Sequence, residues 1–113
     1  MHSWDDILGL VQDLPEIENG TSYGTPALKV RGRFMARLRD EGTVLVVRCD
    51  LDEKPFLLEA NPDTLFTTPH YDGYGAVLVR LDAVPDDALR ELLIDAWLLA
   101  APKKLVDSFG ASQ

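Results

Sequence analysis

The stretch ALKVRGRFMARLRDEGTVLVVRC, residues 27–49, decides how this chain folds. ALKV and FMARLR alternate apolar with basic residues, the period of a strand with one buried face, and TVLVVRC is a β-branched run suited to a strand interior. Gly32 and Gly42 punctuate the gaps. Links this short force antiparallel neighbours, so the reading predicts a three-stranded meander. Parity then sets the turns, because paired residues point to the same face of a sheet. With Leu28, Val30, Phe34, Ala36 and Leu38 all directed to the core, Val30 opposes Phe34 and Arg31-Gly32-Arg33 is an odd-length loop. Leu38 opposing Leu45 leaves Glu41-Gly42 as a two-residue loop. The reverse face then carries Lys29, Met35, Arg37, Arg39, Val44, Val46 and Arg48.

Upstream of the meander, Ser3 precedes Trp4, Ile7, Leu8, Val11 and Leu14 at helical spacing, and Pro15 ends that helix. EIENGTSYGTP, residues 16–26, is rich in turn formers and reads as an extended connection. Downstream, DLDEKPFLLEANP predicts a short helix capped by Asp50 or Asp52, with Phe56 and Leu57 on its apolar side. TLFTT and GAVLVRL supply two more strands around the turn PHYDGY. Leu89, Leu92, Leu93, Ala96, Trp97 and Ala100 mark the longest helix, with Pro85 in its first turn. Pro102 interrupts it, and KKLVDSFG forms a last turn or short helix closed by Gly110. The order α-β-β-β-α-β-β-α excludes a Rossmann fold. Residues 1–113 are expected to form a single two-layer α+β domain, with helices covering one face of an antiparallel five-stranded sheet.

Composition agrees with that architecture. A chain of 113 residues with 46% hydrophobic and 27% charged residues resembles average globular domains and has the material for a core. Charged residues interrupt every apolar run well short of the ~20 residues a membrane span needs. The opening MHSWDDILGL puts acids where a secretory signal needs bases, so a cytoplasmic protein without a membrane partner is expected. Cys49 stands alone and has no partner for an internal disulfide.

The formal net charge of −8 opposes indiscriminate association with phosphate backbones or anionic membranes. Distribution matters as much as the total. KVRGRFMARLR gathers Lys29, Arg31, Arg33, Arg37 and Arg39 without an acid, although such a run also suits a solvated strand face.

Three segments, ENGTSYGTPALKVRGRFMARL, FTTPHYDGYGAVLVRLDAV and LLIDAWLLAAPKKL, resemble the MmcQ/YjbR family. The resemblance implies a fold similar to the bacterial frataxin homologue and the type III secretion chaperones, together with a DNA-binding role that rests on fold analogy.

Catalytic chemistry is sparse. Nucleophilic catalysis needs a Ser, Cys or Thr beside an oriented base, and the only histidines are His2, at a terminus expected to fray, and His70. His70, Tyr71 and Asp72 suit either an acid-base cluster or the buttress of a turn. One interior His and one strand Cys do not make a tetrahedral metal site. The frataxin-like resemblance raises iron on an acidic ridge of Asp5, Asp6 and Asp13, but these acids equally suit a solvent face. No metal, cofactor or catalytic residue is predicted, and the protein is expected not to be an enzyme. Gly73-x-Gly75 leads into a strand and lacks the helix a dinucleotide fingerprint requires.

The leading expectation is therefore DNA binding, with Lys29, Arg37, Arg39 and Arg48 on phosphates and Arg31 and Arg33 at a wing-like tip. No recognition helix or stacking aromatic is evident on that face. A protein partner or homodimer using Met35, Val44 and Val46 among the arginines is the alternative. A third reading is a small-ligand pocket rimmed by Tyr23, His70 and Tyr71.

Overall fold

The computed structural model describes residues 2–39 and 42–111. Ser3 caps α1 (Trp4–Leu10) through a reciprocal box: its hydroxyl accepts from the Asp6 amide at 3.1 Å, and the Asp6 carboxylate accepts from the Ser3 amide at 2.9 Å. The helix stops well before Pro15, yet Val11 and Leu14 in the following turns remain buried. His2 is not frayed, because its amide donates to the Leu81 carbonyl at 3.3 Å and its Nε2 to the Val84 carbonyl at 2.8 Å.

The segment expected to be a connection contains a strand. β1 (Ile17–Ser22) pairs antiparallel with β2 (Thr25–Val30), from Ile17 opposite Val30 to Ser22 opposite Thr25. Alternation is missing from its sequence because it is an edge strand, half-buried only at its two ends. Its turn to β2, Tyr23-Gly24, has φ values of +54° and +79°, as a type I′ hairpin requires.

β2 and β3 (Arg33–Leu38) pair differently from the expected register. Val30 opposes Arg33 across a two-residue turn, with Arg31 and Gly32 at φ +49° and +80°, so the odd loop is wrong. A β-bulge corrects parity further along: Lys29 opposes Phe34 but Leu28 opposes Ala36, and Met35 is the supernumerary residue. Met35, expected on the basic face, is consequently fully buried in the main core. Phe34, expected in that core, joins the cluster on the opposite face. The next expectation holds, since Leu38 opposes Leu45 between β3 and β4 (Val44–Arg48); Glu41 of that loop lies outside the described residues.

α2 (Lys54–Ala60) has no side-chain cap; the Asp50 carboxylate accepts instead from the Asp52 amide at 2.8 Å. Leu57 and Leu58 pack on the core, but Phe56 is 72% exposed. β5 (Leu65–Phe66) and β6 (Ala76–Arg80) complete a six-stranded antiparallel sheet in the order β1-β2-β3-β4-β6-β5, one strand more than expected. α3 (Asp86–Ala100) has Pro85 as its N-cap, and α4 (Lys103–Ala111) runs past Gly110 rather than closing on it.

The helices cover one face. Ile7, Leu28, Val47, Leu93 and Trp97 meet there, and the buried Trp97 indole donates to the Pro15 carbonyl at 2.9 Å. The Arg90 guanidinium on α3 grips Asp13, which follows α1, at 2.9 Å. On the other face Val46, Ala76 and Leu78 are covered by Phe34, Val44, Phe66 and Tyr71, none of them helical. Among the described residues no helix is long and apolar enough to cross a membrane.

Candidate functional site

Register sorts the cations between the two faces. Lys29 opposes Phe34, Arg37 opposes Val46, Arg48 opposes Ala76 and Arg80 opposes Val44, which places all four cations on the helix-free side. The Arg39 amide donates to the Val44 carbonyl at 2.9 Å, extending the ladder one step past β3 and bringing Arg39 to the same side. Arg33, opposite the buried Val30, leaves on the helix side. Arg31 turns away from the sheet and binds the Glu16 carboxylate through two bonds of 2.8 and 2.9 Å. That contact raises the Arg31 pKa and holds the Glu16 carboxyl below its ordinary range. The expected wing tip is therefore charge-neutralised at Arg31 and turned from the face at Arg33.

The turn 67–75 bends over the end of the open face and converts it into a concavity of about 780 Å³. Lys29, Arg37 and Arg48 line it together with Tyr23, His70 and Tyr71, so residues read from sequence as two separate sites form one. Phe34, Val46 and Ala76 provide apolar lining, and among the described residues no Asp or Glu contributes. Arg37 is central: it donates to the Tyr71 hydroxyl at 2.9 Å and to Thr25 Oγ1 at 3.4 Å, and its guanidinium lies 5.6 Å from the Tyr23 ring centroid. Arg48 donates to the Phe34 carbonyl at 3.4 Å. His70 meets Tyr71 edge to face at 4.8 Å between centroids and Tyr74 at 5.8 Å. The Tyr71 hydroxyl is thus engaged by Arg37, while the His70 ring packs between Tyr71 and Tyr74.

Two residues hold the turn in place. Lys54, only 3% exposed, reaches out of α2 and donates through Nζ to the carbonyl of Tyr71 and, at 3.0 Å, to that of Tyr74. Gly75 lies so close to β4 that a Cβ there would stand 2.7 Å from the Cys49 carbonyl oxygen, and the Cys49 amide donates to the Gly75 carbonyl at 2.9 Å. Burial above all, with Asp50 and Glu53 adding to it, pushes the Cys49 thiol up against the opposing pull of Lys54. Of the acids that the resemblance raised as a ridge, Asp6 is committed to Ser3 and Asp13 to Arg90.

Sequence reasoning missed Phe34, Lys54, Tyr74 and Arg80. Arg80 was accessible from the alternation of GAVLVRL; its guanidinium stacks 4.2 Å from the Phe66 ring centroid. Phe34 was hidden by the bulge. Nothing local marks Lys54, whose partners lie 17 and 20 residues away.

An α+β domain with helices on one face of an antiparallel sheet and a basic, aromatic cleft on the other defines the class of this protein. Residues 12–99 match the YjbR family model, and the chain belongs to that family. It is 35% identical, over 127 aligned positions covering 99% of this chain and 98% of each relative, to the uncharacterized proteins Rv2570 of Mycobacterium tuberculosis and Mb2600 of Mycobacterium bovis. The crystal structure of Deinococcus radiodurans protein DR2400, with family-model domain DUF419, has the same fold. Its TM-score is 0.77 at 24% identity, covering 97% of this chain and 89% of that one.

Proposed function

We propose that this protein binds nucleic acid through the open face of its sheet. The observation that carries the reading is the lining of the cleft: Lys29, Arg37 and Arg48 converge with Tyr23, His70, Tyr71 and Tyr74, with no carboxylate among the described residues, in a chain of net charge −8. Such a field concentrates anions locally while the acidic remainder repels indiscriminate polyanion binding. Phosphates suit the cations, and the apolar and aromatic walls suit bases. A protein interface on this face is less well supported, because Met35 lies in the core on the other side of the sheet and Val46 and Leu78 are already covered.

The test is a residue-resolved NMR titration with mixed-sequence DNA, single-stranded and annealed, at two salt concentrations. Amides of β2, β3, β4 and the 70–75 turn are expected to shift, with binding weaker at the higher salt. Replacing Lys29 and Arg48 by Gln is expected to weaken binding to all sequences and to lower the salt slope by about one for each phosphate that is no longer neutralised. Silence at low salt with both forms, or shifts confined to the helix face, refutes the proposal.

A further inference from the structure

We infer that the nucleic acid taken by this cleft is single-stranded, DNA or RNA, with bases stacked on Tyr23 and Tyr74 and phosphates held by the neighbouring cations; the inference rests on the proposed nucleic-acid function. Tyr23 carries most of the argument. It is 91% exposed, so its ring packs no core, and it sits at φ +54°, where Asn, Asp and Gly are favoured and a bulky side chain is strained. Neither core packing nor backbone preference accounts for a tyrosine there; within the chain its ring meets the Arg37 guanidinium, 5.6 Å from the centroid, and the rest of the ring is open to a partner. Arg37 beneath it supplies a cation within reach of the same ligand. Tyr74, 58% exposed, lines the same cleft beside His70.

A duplex stacks each base between its neighbours and closes the ring faces to a protein, while a single strand offers them. Stacking of this kind tolerates any sequence, because every base has a π-face. Reading a duplex through its major groove calls for a helix or a two-stranded ribbon that enters the groove, and among the described residues no helix lies on this face. Charge agrees. The cleft supplies Lys29, Arg37 and Arg48 within an acidic molecule, a modest set better matched to the lower charge density of a single strand than to a duplex.

The experiment is fluorescence anisotropy on the full chain with labelled oligothymidylate and oligouridylate of about 12 nucleotides, a site-sized length, against a duplex of equal length. The single strands are expected to bind at least about ten-fold more tightly than the duplex. With three phosphates contacted, the logarithmic salt slope is about −2, or about a 20-fold loss from about 50 to about 200 mM salt. Tyr23→Asn, which suits the turn better and leaves its melting temperature unchanged or higher, and Tyr74→Leu each lower single-strand affinity about ten-fold. Tyr74→Phe keeps the ring and restores binding, and the lost affinity of Tyr23→Asn at an undiminished melting temperature separates stacking from a structural role. Duplex binding as tight as single-strand binding overturns the inference and leaves nucleic-acid binding standing. A mononucleotide that binds as tightly as the oligomers overturns it in favour of a small-ligand site. No binding to any of these probes at low salt overturns both readings.

Discussion

Gly75→Ala perturbs the point where the cleft is fastened to the sheet. Its added methyl would lie 2.7 Å from the Cys49 carbonyl oxygen, against a usual carbon–oxygen approach of about 3.3 Å. The obstructing atom is main chain on the strand exit, so relief requires parting the backbones rather than turning a side chain. Overpacking of this order costs about 1–3 kcal/mol. Stretching the adjacent 2.9 Å bond from the Cys49 amide adds up to about 1 kcal/mol, and the stiffer unfolded chain of alanine offsets about 0.5 kcal/mol. A net loss of about 2 kcal/mol is expected. For 113 residues the unfolding entropy is about 0.24 kcal/mol/K, so the melting temperature falls by about 8 °C. Calorimetry measures the fall, and amide exchange at Cys49 localises it. Gly73→Ala is the control, because its Cβ meets nothing within 4 Å and its effect is expected to stay within about 0.5 kcal/mol. A Gly75→Ala protein that melts within about 2 °C of the parent, with Cys49 protection intact, refutes the close-approach argument.

Trp97→Phe leaves the Pro15 carbonyl without its indole donor and thins the packing against Phe109, whose ring centroid lies 5.0 Å away; urea unfolding is expected to show a loss of about 2 kcal/mol. Acid should loosen the molecule in a defined window. Asp6, lowered chiefly by the Ser3 amide bond, Asp13, by the Arg90 contact, and Glu16, by the Arg31 contact, all have depressed folded values. Depressed carboxyls stabilise the fold above their unfolded values near pH ~4, and that contribution is lost as the pH falls through the lower folded values. Stability measured against pH should therefore decline below about pH 4, and Asp13→Asn with Glu16→Gln should make the decline shallower.

The helices were legible where burial imposes a period: Leu89, Leu93, Ala96, Trp97 and Ala100 form the buried stripe of α3. The strands β2 to β4 were legible for the same reason. β1 was not, because an edge strand with solvent on most of its length carries Glu18, Asn19, Gly20 and Thr21 instead of an apolar alternation. One bulge misled the parity argument at Phe34 and Met35 while sparing Arg37, since β3 regains the expected phase beyond it. The basic half of the cleft, Lys29, Arg37 and Arg48, was thus readable, and so were Tyr23, His70 and Tyr71 as a group. Their union was not, because it depends on the turn 67–75 being drawn over the sheet by Lys54 and Gly75 through contacts that have no local signature.

Lys54 gives the protein a native reporter. Its amine is shut away, whereas Lys103 and Lys104 are exposed and Lys29 is half-exposed. An amine-reactive label read by peptide mass spectrometry should tag the terminal pair quickly and Lys54 only when the Tyr71–Tyr74 turn lifts. The rate of that slow tagging clocks how often the aromatic wall swings open, without any engineered probe.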